Sequence, residues 1–530
     1  MSTETTYDYI VVGAGSAGCV LANRLSADRG TSILLLEAGE PNEKQEIDIP
    51  AAFPELLTSS VDWEYYTEPQ TELNGRELYW PRGKTLGGSS SINAMIYIRG
   101  HQADYDHWAS LGNDGWGYDD VLPYFKRSEH FEPGGSAYHD QSGPLNVSSP
   151  RTPRSLSQTF VEAAVETGHI RNEDFNCERQ EGVGFYHLTQ KDGQRHSAAD
   201  AFLKLALDRT NLTALTGAQV TRITFDGSRA TGIEYEIDGD RVRANVDREV
   251  VLSAGAINSP QLLMLSGVGD AEHLREHDID VQHNLPGVGR NLQDHLVTFV
   301  VCESTGTDTL DDANSPQHFD TYSQYRRGPL TSNIAESGGF VRTDSDLPAP
   351  NLQYHFGPTY FMRHGFDNPA DGQGFSIGVT QLRPESRGRI TLVSKDPFAT
   401  PAIDPRYLTE TADLNALVDG LRTAREIARA DAFDEYRGRE VWPGEEVQTD
   451  EGLEAHIRET AHTIYHPVGT CKMGDDSMAV VDDNLRVHGV EGLRIVDASI
   501  MPTIVGGNTN APTIMIAERA ANLITGGDAL

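Results

Sequence analysis

Few segments leave a chain as little choice of fold as Gly13-Ala14-Gly15-Ser16-Ala17-Gly18 does in its setting. Before it runs Tyr9-Ile10-Val11-Val12, short, apolar and rich in β-branched residues, the pattern of a buried strand. After it Val20, Leu21 and Leu25 recur at helical spacing, and a second apolar run, Ile33 to Leu36, ends on Glu37. The glycines have separate tasks: Gly13 permits a tight turn, Gly15 lets backbone approach a pyrophosphate, and Gly18 lets helix and strand pack closely. The helix entered at Ser16 turns free N–H groups and the positive end of its dipole toward phosphate. Glu37, followed by Ala38, stands where a carboxylate accepts the hydrogens of an adenosine ribose diol. The segment predicts a strand–turn–helix–strand dinucleotide site, without deciding between a nicotinamide and a flavin.

A second stretch, Pro81-Arg82-Gly83-Lys84-Thr85-Leu86-Gly87-Gly88-Ser89-Ser90-Ser91-Ile92-Asn93-Ala94-Met95, is crowded with small residues. Gly87 and Gly88 and the serines let a backbone lie flat against a planar ligand and direct N–H groups at it. The apolar run Ile96 to Ile98 follows without a break, which a flexible linker rarely shows.

The segment Arg82 to Gly100 resembles the first signature of the glucose-methanol-choline family of flavin oxidoreductases, and Gly255 to Gly269 resembles the second. Val288 to His295, Tyr465 to Gly474, and Val496 to Ser499 running on through Asn508 to Thr513 are similar to further family segments, in family order. Within the family the chain looks nearest to acceptor-linked alcohol dehydrogenases, with choline dehydrogenases close behind. The resemblance implies FAD, its adenine end at Gly13 to Glu37 and the Gly87 to Met95 loop along the isoalloxazine. On that likeness Arg82, Asn93, Ala94 and Met95 lie at the ring, with Asn93 near its N5/C4a edge. Val220 lies at the adenine, Asp497 and Ala498 at the diphosphate and ribityl chain, and Thr509 and Asn510 at the pyrimidine side. Some relatives hold flavin covalently through a histidine in the first signature. Here Ile92 aligns with it, so FAD is expected to bind non-covalently.

Alcohol oxidation removes a hydroxyl proton and a hydride from the same carbon, so a base must stand near flavin N5. The resemblance places His466, within Tyr465-His466-Pro467-Val468-Gly469-Thr470, as that base. It assigns Asn510 to the second catalytic position, where an amide orients the substrate oxygen. His295 and His462 are read as structural or supporting. No Ser-His-Asp arrangement competes, and no metal-ligand spacing appears.

At 530 residues the chain is long enough for two to four ordinary domains. The expected fold is α/β: a Rossmann-type FAD-binding domain and a second, α+β substrate-binding domain with an antiparallel sheet. The motifs are scattered, so the first domain is assembled from 1–150, 211–300 and 462–530, and the second from 151–210 and 301–461. Strand-like patterns around Asn351 to Phe356 and Ile390 to Val393 are expected in the antiparallel sheet.

Asp and Glu number 79 against 43 Lys and Arg, a formal net charge of −36, with seven lysines. Self-repulsion of that size is screened at molar salt, where the Debye length falls to about 3 Å. The composition reads as that of a halophile's cytoplasmic enzyme. It disfavours nucleic acid, whose phosphates need clustered Lys and Arg. Four dispersed cysteines suit a reducing compartment. No apolar run is long enough for a membrane span, although peripheral membrane contact stays open.

The expected partners are a small-molecule alcohol and an electron acceptor such as a quinone. Choline oxidation, oxygen as acceptor, a redox-silent flavin protein and an FAD-containing hydroxynitrile lyase are the alternatives. Glu336 aligns loosely with an acid used by choline-oxidising relatives, but a supporting role is favoured. Tyr354, Tyr360 and Phe361 are candidates for the pocket wall. A primary alcohol is favoured over choline.

Overall fold

The computed structural model describes residues 5–306, 308–369 and 371–527. Strand Thr5–Val12 lies parallel to Ile33–Leu36 on one side and to Asp240–Leu252 on the other, and Leu212–Leu215 extends the sheet beyond Ile33–Leu36. Ile33–Leu36 is buried throughout, because helices cover both faces of such a sheet and leave no solvent side to alternate with. The long strand Asp240–Leu252 serves two structures. Its last residues pair in parallel with Thr5–Val12 and with Leu493–Ile495, while its first half pairs antiparallel with Arg229–Ile237. Helices Ser16–Leu25 and Asn510–Thr525 pack together against the parallel part. Glu518, fully buried, anchors them by accepting from Arg24 Nε at 2.9 Å.

A second seven-stranded sheet is antiparallel and runs in the order Arg437–Trp442, Leu296–Ser304, Gly374–Gln381, Leu352–Gly357, Ser337–Val341, Gly182–Phe185, with His462–Thr463 paired to Leu296–Val297. Strand Leu352–Gly357 is buried along its whole length, yet its two faces differ. Tyr354 donates to Gly420 O at 3.2 Å and Phe356 stacks on Phe160, both toward covering helices. Gln353 and His355 face the other way, over the first sheet's loops. The chain is thus an α/β molecule in which an antiparallel sheet roofs a dinucleotide-type sheet. Strands Leu296–Ser304 and His462–Thr463 belong to the roof, across the margins expected at 300 and 462. Ile390 lies elsewhere than expected: strand Gly388–Thr391 joins Arg290–Leu292 and Ala402–Asp404 in a separate three-stranded sheet. Four residues of alternation define a strand but not its partner.

Candidate active site

Between the two sheets lies a cavity whose walls come from the glycine turn, the Arg82–Met95 stretch, and the segments around Gly255, His466, Asp497 and Asn510. Gly13 sits at φ +95°, where its N–H bonds to Leu36 O at 2.8 Å. A Cβ on Gly18 would fall 1.8 Å from Gly13 O, so helix and turn touch only because that side chain is missing. The two glycine-rich segments also meet, since a Cβ on Gly88 would stand 2.7 Å from Gly15 Cα. Gly13, Gly15, Ser16, Glu37, Ala38, Arg82, Gly88, Asn93, Ala94, Met95, Val220, Asp497, Ala498, Thr509 and Asn510 line the cavity with His466. Gly18 and Gly87 shape its turns from behind.

At one end Glu37 is buried, each carboxylate oxygen accepting a backbone N–H at 2.9 Å, from Ala14 and from Gly39. Burial pushes its pKa up to about 7. In the middle, helices Ser16–Leu25, Gly255–Leu265 and Asn510–Thr525 bring their first residues to the wall, and free N–H groups at such ends suit an anionic diphosphate. Asp497 holds this region together by accepting from Gly255 N, Ser259 Oγ and Ser499 N. Further along, Asn93 Oδ1 accepts from Arg195 Nη1 at 2.9 Å and from Met95 N at 3.0 Å, which fixes the loop against the cavity. Backbone-lined, with an acid at one end and a flat glycine–serine wall, the cavity fits a long dinucleotide.

The other end holds His466. Backbone hydrogen bonds grip the Tyr465–His466 peptide from both sides: Arg82 Nη2 donates to Tyr465 O at 2.6 Å, and His466 N donates to Asp294 Oδ1 at 2.7 Å. Tyr465 is held at φ +73°, a conformation a bulky side chain adopts only where its surroundings impose it. Asp294 also accepts from Thr463 Oγ1 and Tyr407 Oη.

The His466 ring is part of a directed chain. His295 Nε2 lies 3.0 Å from Leu382 O, and a carbonyl can only accept, so the Nε2 carries a proton. Burial lowers the His295 pKa to about 3, so the ring is neutral and its Nδ1 is an acceptor. His466 Nδ1, 3.0 Å away, is therefore the donor, and its Nε2 is left with a free lone pair. Burial first, then repulsion from His295, His355 and Arg82, holds His466 well below the usual histidine range. The His466 Nε2 is thus the ring nitrogen turned away from the relay.

Asn508 Nδ2 stands 3.3 Å from that Nε2, while Asn508 Oδ1 accepts from Gln353 Nε2 at 3.1 Å. Asn508 is thus the amide that meets the His466 ring. Asn510 is the first residue of the last helix, and its Oδ1 accepts from Ser16 Oγ at 2.6 Å, on the glycine-turn side. The distinction had a signal in the sequence: Asn510 precedes Ala511-Pro512 at a helix start, where asparagine is engaged at the terminus, whereas Asn508 stays in the loop. His295 fits the supporting role read for it, whereas nothing in the sequence singled out Gln353.

Around His466 the wall is apolar and aromatic, with Phe53, Phe299, Ile334, Phe361 and Ile464 joined by the neutral His355 and His462. Burial lowers those two histidines to about 3 and about 4. Of the aromatic candidates Phe361 alone lines the cavity; Tyr354 faces a helix and Tyr360 is packed beneath. Glu336 is turned away, its Oε2 accepting from Arg154 N at 2.8 Å and Ser157 Oγ at 2.6 Å. Among the described residues no carboxylate lines the His466 end; the cavity's acids are Glu37 and Asp497.

A family model described as GMC oxidoreductase matches residues 7–297 and a second of the same description matches 384–517. The chain is 48% identical to an alcohol dehydrogenase [acceptor] of Pseudomonas putida, over 98% of this chain and 95% of that one. It is 45% identical to oxygen-dependent choline dehydrogenase 1 of Chromohalobacter salexigens, over 100% and 97%. The solved structure of pyridoxine 4-oxidase from Mesorbium loti superposes with a TM-score of 0.90 at 34% identity, over 98% of this chain and all of that one.

Proposed function

This chain belongs to the GMC oxidoreductase family, and we propose that it oxidises an uncharged, apolar primary alcohol to the aldehyde, with non-covalent FAD and a quinone or similar acceptor. The observation that carries this reading is the pairing of a directed His466 ring with a cavity end that no carboxylate lines among the described residues. FAD, when bound, supplies the two-electron acceptor for the alcohol's hydride. Gly13, Gly15, Ser16, Glu37 and Ala38 would hold its adenosine end, Asp497, Ala498 and Thr509 its middle, and Arg82, Asn93, Ala94 and Met95 its ring. Ile92, which has no nucleophilic atom, supports non-covalent attachment.

The chain's own residues divide the remaining work. His466 Nε2 accepts the hydroxyl proton, and its Nδ1–H stays on His295 as the charge forms. Asn508 Nδ2 donates to the substrate oxygen, its direction set by Gln353. Phe53, Phe299 and Phe361 exclude water and bury the alcohol's carbon chain. Choline is disfavoured, because a quaternary ammonium here would meet aromatic faces but no counter-charge. The acid surplus of the chain supports work in a salt-rich cytoplasm.

An anaerobic titration of the yellow protein in high salt tests the substrate. Aliphatic or aromatic primary alcohols should bleach the flavin band at concentrations at least tenfold below those choline requires. Readmitted air then separates an oxidase from an acceptor-linked dehydrogenase. A band that bleaches first with choline refutes the apolar-alcohol reading, and one that no alcohol bleaches favours the lyase.

The two asparagines separate in kinetics. Asn508→Ala should lower kcat about a hundredfold or more, the usual cost of one oriented donor. Asn510→Ala should keep kcat within a few-fold but release flavin more readily, since it frees Ser16 and the last helix's start. The opposite split, read from kcat and the flavin-to-protein absorbance ratio, returns the catalytic role to Asn510.

A further inference from the structure

Outside the cavity, the chain gathers four metal-ligating side chains that the alcohol chemistry does not use. His139 Nε2 lies 2.9 Å from Asp174 Oδ2, and Cys177 Sγ donates to the same oxygen at 3.0 Å. Nδ1 of His187 is 3.8 Å from the other oxygen, Asp174 Oδ1. The ligand atoms of His139, Asp174 and Cys177 all fall within 4.8 Å of one another. None of the four residues lines the cavity.

We propose that His139, Asp174, Cys177 and His187 bind one divalent transition-metal ion, with zinc the fitting occupant. One sulfur, one carboxylate and two imidazoles form a donor set that zinc takes in tetrahedral geometry. Bonds of about 2.0–2.3 Å set tetrahedral ligands roughly 3.3–3.7 Å apart, so His139 and Cys177 need to open slightly from Asp174 while His187, outside the 4.8 Å group of the other three, needs to swing inward.

Second contacts support the reading. A metal-bound imidazole commonly gives its other N–H to a carboxylate. Here His139 Nδ1 lies 3.0 Å from Glu129 Oε1, which also accepts from Arg99 Nη2 at 2.7 Å. The far nitrogen, His139 Nε2, is buried and faces Asp174 alone. Phe131 stacks on the His139 ring with centroids 3.8 Å apart and meets His187 edge-on at 4.8 Å, so one side chain fixes both imidazoles. Asp174 and Cys177 are half-buried, which leaves an entry route.

The site's place suggests a structural task. Tyr97 N donates to His187 O at 2.8 Å, and Asn176 brackets the same segment through Arg99 N and Tyr97 O. These residues leave the Gly87 to Met95 loop, so the ion would staple the exit of the cavity's flat wall.

The test uses the FAD-loaded protein, stripped with chelator and titrated with Zn²⁺ in high salt by calorimetry. A parallel Co²⁺ titration is read in the red, beyond the flavin band. The wild type should bind one equivalent, develop tetrahedral cobalt bands and melt at higher temperature with Zn²⁺ than without. Cys177→Ala, a change at a half-exposed turn, should bind at least tenfold more weakly and lose the cobalt bands; Cys177→Ser should keep part of the affinity. The acidic surface also takes up divalent ions, so the difference between wild type and variant decides. Equal binding by wild type and Cys177→Ala, or no saturable binding by wild type, overturns the proposal.

Discussion

Turnover by His466→Ala falls by about a hundredfold to ten-thousandfold while the purified variant stays yellow, the range typical of losing a general base. The cofactor should be retained because nothing that shapes this loop depends on the imidazole. Arg82 and Asp294 hold the Tyr465–His466 peptide by its backbone O and N–H, and alanine keeps both bonds. The proton-directing relay is what disappears. In the wild type kcat/KM should rise with pH and level off above an apparent pKa below 6.5, since burial and neighbouring cations depress His466. In the variant that acid limb should vanish. Steady-state kinetics with the absorbance ratio of the pure protein checks both. Turnover within tenfold of wild type removes His466 as the base, and a colourless variant makes it a structural residue.

The second large effect is on stability in mild acid. Burial keeps His196, His456 and His462 at about 4, His295 and His355 at about 3, and His364 and His466 well below their usual range. In the unfolded chain each titrates near 6.5. Below that pH the unfolded chain binds protons that the folded one refuses. The stability these groups contribute is whole above about pH 6.5 and is lost as pH falls toward their folded values. Each group removes about 1.4 kcal/mol per pH unit in that window. Buried acids work in the opposite sense: Glu37 at about 7, and Asp294, Glu336 and Asp497, all raised by burial, take up protons when folded. They are fewer, so the net slope follows the histidines. Against a total stability of about 5–15 kcal/mol, the melting temperature should drop steeply between pH 6.5 and 5. Thermal unfolding at constant high salt and FAD excess measures it. A flat profile over that range contradicts the neutral-histidine account.

Legibility in the sequence tracked how local each feature is. The glycine turn, Glu37 and the flat loop were readable because backbone conformation there is dictated by residues a few positions apart: Gly13 at positive φ, Gly18 against Gly13 O, Gly88 against Gly15. His466 was readable through its motif. Its direction was not, because the relay to Leu382 O passes through His295, 171 residues before His466 in the chain. Asn508 carries no motif of its own, and its approach to His466 is legible only once the last helix is seen to begin at Asn510. Strand Leu352–Gly357 has both faces covered, so alternation does not report which side faces the cavity. The metal-type cluster escaped as well, since His139, Asp174 and His187 are brought together only by the fold.

The glycine turn is finished by Asn510 on Ser16 and Glu518 on Arg24, and strand Leu493–Ile495 completes the sheet beside Val250–Leu252. During synthesis the strand–helix–strand unit of residues 5–36 therefore emerges with one flank of its helix uncovered, and the cover arrives only once residues 493–525 have followed.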